Sequence, residues 1–339
     1  MEVKMSYKTV IALDAMGGDN APSAIVKGAV LAAREDIKII LVGDENKLKT
    51  ELSQYGMDSS RLSIHHASEV ITMDDSPVAA IRSKKDSSMV VGLKLLKEKE
   101  VDAFISAGST GALLAGGTFL VGRARGIERP ALAPLIPNIK GFSLLIDCGA
   151  NMDAKASYLA QFALMGSIYM ESIMGIPSPK VGLINVGTEN EKGNQLTKEA
   201  FSLLEKSDIN FIGNIEGRDI SMGVADVIVC DAFTGNIILK HTEGLALSLF
   251  NIIKEELMND NLSKIGALLS KSAYKRVKKR FDYTEYGGAP MLGLQGLVVK
   301  AHGSSNAKAI QSAIAQAVKF KEEKIVEKIE EKINQKINQ

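Results

Sequence analysis

The chain has 339 residues, 45% of them hydrophobic and 24% charged, with a formal net charge of +1. That length suits one large domain or two modest ones, and the composition excludes a disordered polyelectrolyte. Near-neutral charge argues against a general nucleic-acid binder. Cys148 and Cys230 have no metal-ligand spacing and cannot build a disulfide framework, so a reducing cytoplasm fits best. Residues 1–8 carry charge, but no apolar run of leader length follows. Nowhere do about 18 apolar residues run together, so no transmembrane helix is expected, while binding at a membrane surface stays open.

In chain order the pattern is apolar strand, glycine-rich turn, amphipathic helix, repeated. Residues 10–13 read as a buried strand that ends in Asp14-Ala15-Met16-Gly17-Gly18-Asp19-Asn20, a turn with too many breakers for helix or strand. Pro22 opens a helix to about Arg34, since proline suits the first turn. Residues 37–42 form the next strand and 45–55 the next helix. Strands at 101–106, 143–146, 181–185 and 224–230 each run into a polar turn, at 107–111, 147–151, 186–189 and 231–236. Residues 237–280 then read as two consecutive helices joined near Asn259-Asp260-Asn261, an appendage or interface element. The first carries Leu245, Leu249, Ile252, Ile253 and Leu257. The second carries Leu262, Ile265, Leu268 and Leu269, then Lys271, Lys275, Arg276, Lys278, Lys279 and Arg280. Residues 319–339 are charged, with Ile325, Ile329, Ile333 and Ile337 at helical spacing, either a docked helix or a fraying tail.

Strands that are apolar throughout imply burial on both faces. Their alternation with helices implies a three-layer α/β/α sandwich with a mostly parallel sheet. The expected organisation is one α/β domain over residues 1–318, with the helical pair inserted at about 237–280, followed by the 319–339 segment. In such folds ligands bind beyond the C-terminal ends of the strands, where the glycine-rich turns lie.

Several familiar sites are absent. No two glycines stand two positions apart, so the dinucleotide fingerprint is impossible. There is no Gly-x-x-x-x-Gly-Lys loop, and Ala107 replaces the first glycine of a Gly-x-Ser-x-Gly elbow. Of four histidines only His65 and His66 are neighbours, and adjacent strand residues point apart, so a zinc site is unsupported.

The remaining candidates sit in the turns. Gly17 and Gly18 beside Asp14 can bring backbone N–H groups to an anion, or simply make a tight turn capped by Asp19 or Asn20. Ser106-Ala107-Gly108-Ser109-Thr110-Gly111 offers hydroxyls and amides at another helix start, suited to phosphate or to an oxyanion, or to capping alone. Asn185-Val186-Gly187-Thr188-Glu189 with Lys192-Gly193-Asn194 gathers a carboxylate, an ammonium and amides, either for phosphate and carbonyl polarisation or as a solvated loop. Lys84, Lys85 and Ser87 belong to a basic, hydroxyl-rich loop that can grip phosphate or an acidic protein, or only be solvated. Asp147 and Asp231 follow buried strands as bases or caps, with Asn151 and Asn236 closing their turns. Cys148 reads as a small core hydrophobe. His302 is the only histidine inside a glycine and hydroxyl turn, a candidate for acid/base work or phosphate contact. The basic run 271–280 suits anionic lipid, an acidic protein partner, or a solvated face over a dimer contact.

These motifs, in this order from Val10 to about Ser305, closely resemble the acyl-ACP:phosphate acyltransferase (PlsX) family. The resemblance opens on Ile11-Ala12-Leu13-Asp14-Ala15-Met16-Gly17-Gly18-Asp19. It continues through Lys84-Lys85-Asp86-Ser87-Ser88-Met89, residues 106–112 and 147–151, Gly213-Asn214-Ile215-Glu216-Gly217-Arg218-Asp219, residues 231–236, Gly287-Gly288-Ala289-Pro290-Met291-Leu292-Gly293 and His302-Gly303-Ser304. Where the family commonly has asparagine this chain has Ser109. The resemblance implies a fold similar to phosphotransacetylases and isocitrate or isopropylmalate dehydrogenases, and a homodimer without metal or nucleotide. It implies transfer of a fatty acyl group from acyl carrier protein (ACP) to inorganic phosphate. The acyl phosphate would feed a membrane glycerol-3-phosphate acyltransferase, with membrane contact placed on the helical pair. Lys192 and the 106–111 loop are then expected to meet phosphate and oxyanion, with His302, Asp231 and Asn236 in support. The alternatives are transfer between coenzyme A and phosphate, a decarboxylating dehydrogenase of similar fold, or a non-catalytic scaffold binding acyl-ACP or membrane.

Overall fold

A computed structural model describes residues 7–56, 61–281 and 287–337. One sheet contains β1 (Thr9–Asp14), β2 (Ile37–Gly43), β3 (Leu62–His66), β4 (Ala103–Ser106) and β5 (Ala131–Leu132). The other contains β6 (Leu135–Asn138), β7 (Gly141–Ile146), β8 (Val181–Ile184), β9 (Phe211–Ile215) and β10 (Val227–Val229). Two late strands, β11 (Ala289–Leu292) and β12 (Leu297–Lys300), return to the first sheet. The strand orders are β3-β2-β1-β4-β12-β11-β5 and β6-β7-β10-β8-β9. Among the named strands, antiparallel pairing is confined to β11 with its two neighbours and to β6 with β7.

The expected three-layer, mostly parallel α/β organisation is present, but two sheets carry it rather than one. Residues 131–138 cross between them. Ala133 N–H donates to Pro290 O in the first sheet, and Leu145 N–H of the second donates to Pro134 O. Pro134 has no N–H of its own to continue a ladder, so the strand breaks there.

The helices are α1 (Ser23–Ala32), α2 (Glu45–Ser53), α3 (Pro77–Ser83), α4 (Ser88–Lys97), α5 (Thr110–Gly116), α6 (Ala156–Ser172) and α7 (Gln195–Glu205), then α8 (Gly217–Met222), α9 (Ala232–Leu257), α10 (Asn261–Phe281), α11 (Ala307–Glu322) and α12 (Ile325–Ile337). Along β1, Ile11 and Leu13 join one apolar cluster and Ala12 the other, so the sheet is covered on both faces. Helix α6 is buried on nearly every side, which is why it shows little amphipathic period. Ile325, Ile329 and Ile333 are buried, so α12 is a docked helix; the Ile337 side chain lies outside the described residues, as do residues 1–6.

Helix α9 starts at Ala232, not at Ile237. Asp231 is its N-cap, accepting the Thr234 N–H at 2.9 Å, so the apparent 231–236 turn is a cap and first helical turn. Helix α10 folds back beside α9 without burying a residue, and Phe250 meets Phe281 edge-to-face at 6.0 Å between ring centroids.

Candidate active site

Three neighbouring strands, β1, β4 and β12, end in Asp14, Ser106 and Lys300, with Ser106 and Lys300 directly paired in register. Ser106 Oγ donates to Asp14 Oδ2 at 2.6 Å and accepts the Gly108 N–H at 3.0 Å. Burial raises the Asp14 carboxyl pKa, opposed by hydrogen bonds from Ser106, Ser88, Met16 and Gly17. Gly17 passes so close that a Cβ would stand 2.5 Å from Asp14 Oδ2 and 2.8 Å from Gly108 N. Gly18 has a φ of +101°, and the Asp19 N–H donates to Gly303 O at 2.8 Å. The first turn therefore locks the 106–111 and 302–305 turns together.

Lys300 is the unexpected member. It is 8% exposed, and its ammonium donates to the carbonyls of Ala107, at 3.4 Å, and Ala301. Burial, aided by the Lys240 charge, pushes its pKa down to about 8 against the pull of Asp14 and Asp19. His302 follows two residues on. Its Nδ1 accepts the Ser304 N–H at 3.2 Å and lies 2.8 Å from Ser304 Oγ, which leaves the proton of the neutral ring on Nε2. Burial lowers the His302 pKa, with Glu243 opposing and Lys240 and Lys300 assisting.

Lys300 and His302 line a cavity of about 250 Å³ with Thr110, Asn236, Lys240 and Glu243. Lys240 Nζ is 2.8 Å from Glu243 Oε2. Cys148 also lines it, but burial pushes the Cys148 and Cys230 thiols well above their usual range, so neither is a ready thiolate. Leu135, Leu239, Glu243 and His302 are shared with a second cavity of about 370 Å³. That one is largely an apolar groove between β6, α9 and the end of α10, walled by Ile136, Ala246, Leu247, Phe250 and Phe281, with Lys278 beside it. The pocket that holds Lys240, Lys300 and Glu243 thus shares a wall with an apolar groove.

The structure brings Asp14, Gly17, Gly18, Ser106, Gly108, Thr110, Asn236 and His302 to this region, but assigns them different work. Thr110, Asn236 and His302 face the cavity, whereas Asp14, Ser106 and the glycines lie beneath it. Ser109 caps α5 by accepting the Ala112 N–H, so its hydroxyl serves the helix. Gly111 packs on Pro77. Ser87 likewise caps α4, and Lys84 is held by Asp75 at 2.6 Å and Val70 O at 2.9 Å, while Lys85 is exposed. Asn151 Nδ2 donates to Pro130 O and to Asp147 Oδ2, at 2.8 Å and 2.7 Å. Asp147 also accepts the Leu132 N–H, and burial raises its pKa to about 6.

Lys192 is not brought to the His302 cavity. It projects from the loop after β8, half exposed, with Nζ 4.0 Å from Glu189 Oε1. Asn185 Oδ1 accepts the Val186 N–H while Nδ2 donates to Lys192 O, and Asn194 caps α7. A Cβ on Gly187 would meet Glu189 Oε2 at 2.8 Å. This loop borders a separate cavity of about 460 Å³, lined in part by Asn185, Asn194, Asp231 and Thr234. Both Asp231 oxygens are engaged by Thr234, which leaves it a cap first.

On the helical pair, Leu249, Leu268, Leu269, Lys271, Lys275, Arg276, Lys278, Lys279 and Arg280 are exposed, while Ile253 and Leu257 are half-buried. Sequence reasoning missed Lys300, Lys240 and Glu243. A lysine closing the apolar run Leu297-Val298-Val299 was the one signal for Lys300. Lys240 and Glu243 carried none beyond a helical spacing of three. Among the described residues, no group of three or more His, Cys, Asp or Glu is placed to hold a metal ion.

The fold is similar to that of solved phosphotransacetylases. One from Streptococcus pyogenes superposes with a TM-score of 0.62 at 18% identity, over 93% of this chain and 94% of that one. A branched-chain phosphotransacylase from Enterococcus faecalis V583 gives 0.57 at 13% identity, over 92% and 98%. At those identities the likeness is one of fold.

Sequence goes further. The model of the fatty acid synthesis protein family matches residues 9–328, and this chain belongs to that family. Relatives include a phosphate acyltransferase of Alkaliphilus oremlandii, 55% identical over 317 residues, 93% of this chain and 95% of the relative. The phosphate acyltransferase of Clostridioides difficile is 54% identical over 93% of this chain and 94% of its own.

Proposed function

We infer that this chain is an acyltransferase that moves an acyl group onto inorganic phosphate, and we propose that the donor is a long-chain thioester carried by ACP. The observation that carries the reading is the wall that the two cavities share. A cationic pocket suited to phosphate shares Leu135, Leu239, Glu243 and His302 with an apolar groove suited to an acyl chain. A thioester carbonyl at that junction would place its chain in the groove and its carbon beside the pocket.

Hydrogen phosphate attacks the carbonyl through one oxygen. The tetrahedral oxyanion collapses, the C–S bond breaks, and the phosphate's proton leaves on the thiol sulfur. Acyl phosphate and free thiol result, with no covalent enzyme intermediate, in keeping with the raised cysteine pKa values. His302 Nε2–H and the Thr110 hydroxyl are the donors we assign to the developing oxyanion. Lys192 remains a second candidate, a half-exposed cation on the loop that borders the third cavity.

Lys278 lies beside the groove within the basic run of α10, a surface that fits an acidic ACP. Helix α10 also exposes Leu262, Leu268 and Leu269 together with lysines and arginines and has no acidic residue, which supports peripheral contact with an anionic membrane. Among the described residues no helix is long and apolar enough to cross one. We further propose a homodimer that delivers its acyl phosphate to a membrane glycerol-3-phosphate acyltransferase.

Thiol release from long-chain acyl-ACP and from acyl-CoA, with and without phosphate, tests the reading. Phosphate-dependent release, with acyl phosphate trapped by hydroxylamine and acyl-ACP preferred, is the expected result. Release without phosphate would indicate a thioesterase, and ACP binding without release a scaffold.

A further inference from the structure

The oddest charge in the molecule is Lys300. It is nearly fully buried, it lines the polar cavity, and its donors go only to two backbone carbonyls. Two other cations have carboxylate partners, Lys240 with Glu243 at 2.8 Å and Lys192 loosely with Glu189 at 4.0 Å. Among the described residues no carboxylate forms an ion pair with Lys300. Asp14 and Asp19 act on it at longer range, and Asp14 is already saturated by Ser106, Ser88 and backbone N–H groups. A buried cation without a counter-ion is costly, so a fold that keeps one at a cavity wall is built for an anion to complete it.

We propose that Lys300 is the anion anchor of the active site, its ammonium taking an oxygen of the acceptor phosphate directly. The identity of the anion rests on the acyl-to-phosphate reading, but the anchor itself does not. Lysine serves here as a compact point charge. Its carbonyl partners at Ala107 and Ala301 aim it, which ties phosphate capture to the 106–111 and 302–305 turns.

The assignment has a proton signature. The titratable groups around Lys300 are Lys240 and its partner Glu243 on α9, Asp14 and Asp19 on the first turn, and the His302 ring. Free Lys300 loses its proton near pH 8, and a bound phosphate must hold that proton on. Affinity for phosphate therefore falls roughly tenfold per pH unit above that point, with proton uptake on binding.

The experiment is calorimetric titration of inorganic phosphate into the full chain without acyl donor, in buffers of different ionisation enthalpy, from about pH 8 to 9.5, where phosphate is already almost wholly the dianion. Lys300→Met should weaken binding by about tenfold to a hundredfold, the loss expected for a hydrogen bond to a charged group. It should also remove that pH dependence and shrink the phosphate-induced rise in Tm. Lys300→Arg should keep binding and lose the pH dependence, because its charge is permanent. Equal phosphate affinity in wild type and Lys300→Met overturns the proposal, as does absence of phosphate binding in wild type. Either result leaves acyl transfer to be judged separately by thiol release. Phosphate binding by Lys300 in a protein that transfers no acyl group would keep the anchor and remove the proposed reaction.

Discussion

Ser106 donates to Asp14 at 2.6 Å while accepting the Gly108 N–H, so a single hydroxyl joins the ends of two strands 92 residues apart in sequence. Replacing it by alanine takes one hydrogen bond from a buried carboxylate and leaves the Gly108 amide without its acceptor. Ser106→Ala should cost about 1–3 kcal/mol in urea denaturation. The Asp14 pKa is already raised, so its contribution to stability is present below the usual carboxylate range and lost as pH rises through the folded value. Removing a hydrogen bond that favours the ionised form raises that value further. The deficit of Ser106→Ala should therefore be larger at neutral pH than at about pH 4. A deficit that is the same at both pH values would mean Asp14 does not feel the serine.

The first turn of α9 rests on the carbonyl of Asp147. A Cβ on Gly235 would lie 1.9 Å from that oxygen, and the obstacle is backbone with no room to swing aside. Gly235→Ala should lose about 1–3 kcal/mol or more by overpacking. It should also lower activity disproportionately, because α9 places Asn236, Lys240 and Glu243 at the cavity. Thermal unfolding beside kcat/KM checks both. A stable variant with ordinary activity would show that α9 can shift without consequence.

His302 gives the acid limb of the pH profile. Burial disfavours its charged form, so its folded pKa lies below the usual histidine value, and the neutral ring persists to lower pH than a free histidine would allow. Activity that needs neutral His302 should hold as pH falls past about 6.5 and decline only below that. By linkage, the stability associated with this group is present above about 6.5 and fades as pH falls toward the folded value. His302→Gln should remove the acid limb and reduce kcat by about 10²–10³ if the ring donates to the oxyanion. An unchanged limb in His302→Gln would assign it to another group.

Lys192→Ala asks which cation serves the chemistry. If Lys192 stabilises the oxyanion or the phosphate, turnover should fall by about 10²–10³ with the fold intact, since the side chain is half exposed and only loosely paired. Wild-type turnover in the folded variant would remove it and leave Lys300 and His302 with the work.

What was legible in the sequence follows physical lines. The strands of the alternating frame were visible because a short, continuous apolar run between glycine-rich turns fits a strand buried on both faces, as at residues 10–13 and 143–146. Helix α6 was not, because burial around its whole circumference erases the polar face that marks a helix. The split into two sheets turns on Pro134, and the crossing is defined by partners outside the segment, Pro290 for Ala133, far along the chain, and Leu145 for Pro134. At the site, the turn at 302–305 announced itself through its histidine and glycine. Ser87, Ser109, Asp231 and Asn194 looked like ligands and are helix caps, because the same short polar side chains do both jobs. Lys300 was hidden for the opposite reason. A lysine at a strand end reads as a solvated terminus, and only the fold shows β12 lying next to β4 with that residue buried.

The groove makes a prediction about acyl chain length. Its wall runs from His302 past Leu239 and Ala246 to the edge-to-face pair of Phe250 and Phe281. Each methylene that enters should improve kcat/KM by about fourfold, from roughly 0.8 kcal/mol per buried CH₂, until the chain meets the aromatic pair and the gain stops. Phe250→Ala should move that stop to longer chains. Ala246→Phe should bring it several methylenes nearer by filling the groove from the α9 side. A homologous series of acyl thioesters, assayed by phosphate-dependent thiol release, reads the position of the stop directly. Since Ala246 and Phe250 lie on the same face of α9, one turn apart, the two variants should shift the stop in opposite directions while leaving activity on the shortest chains unchanged. A profile that neither substitution moves would place the acyl chain outside this groove.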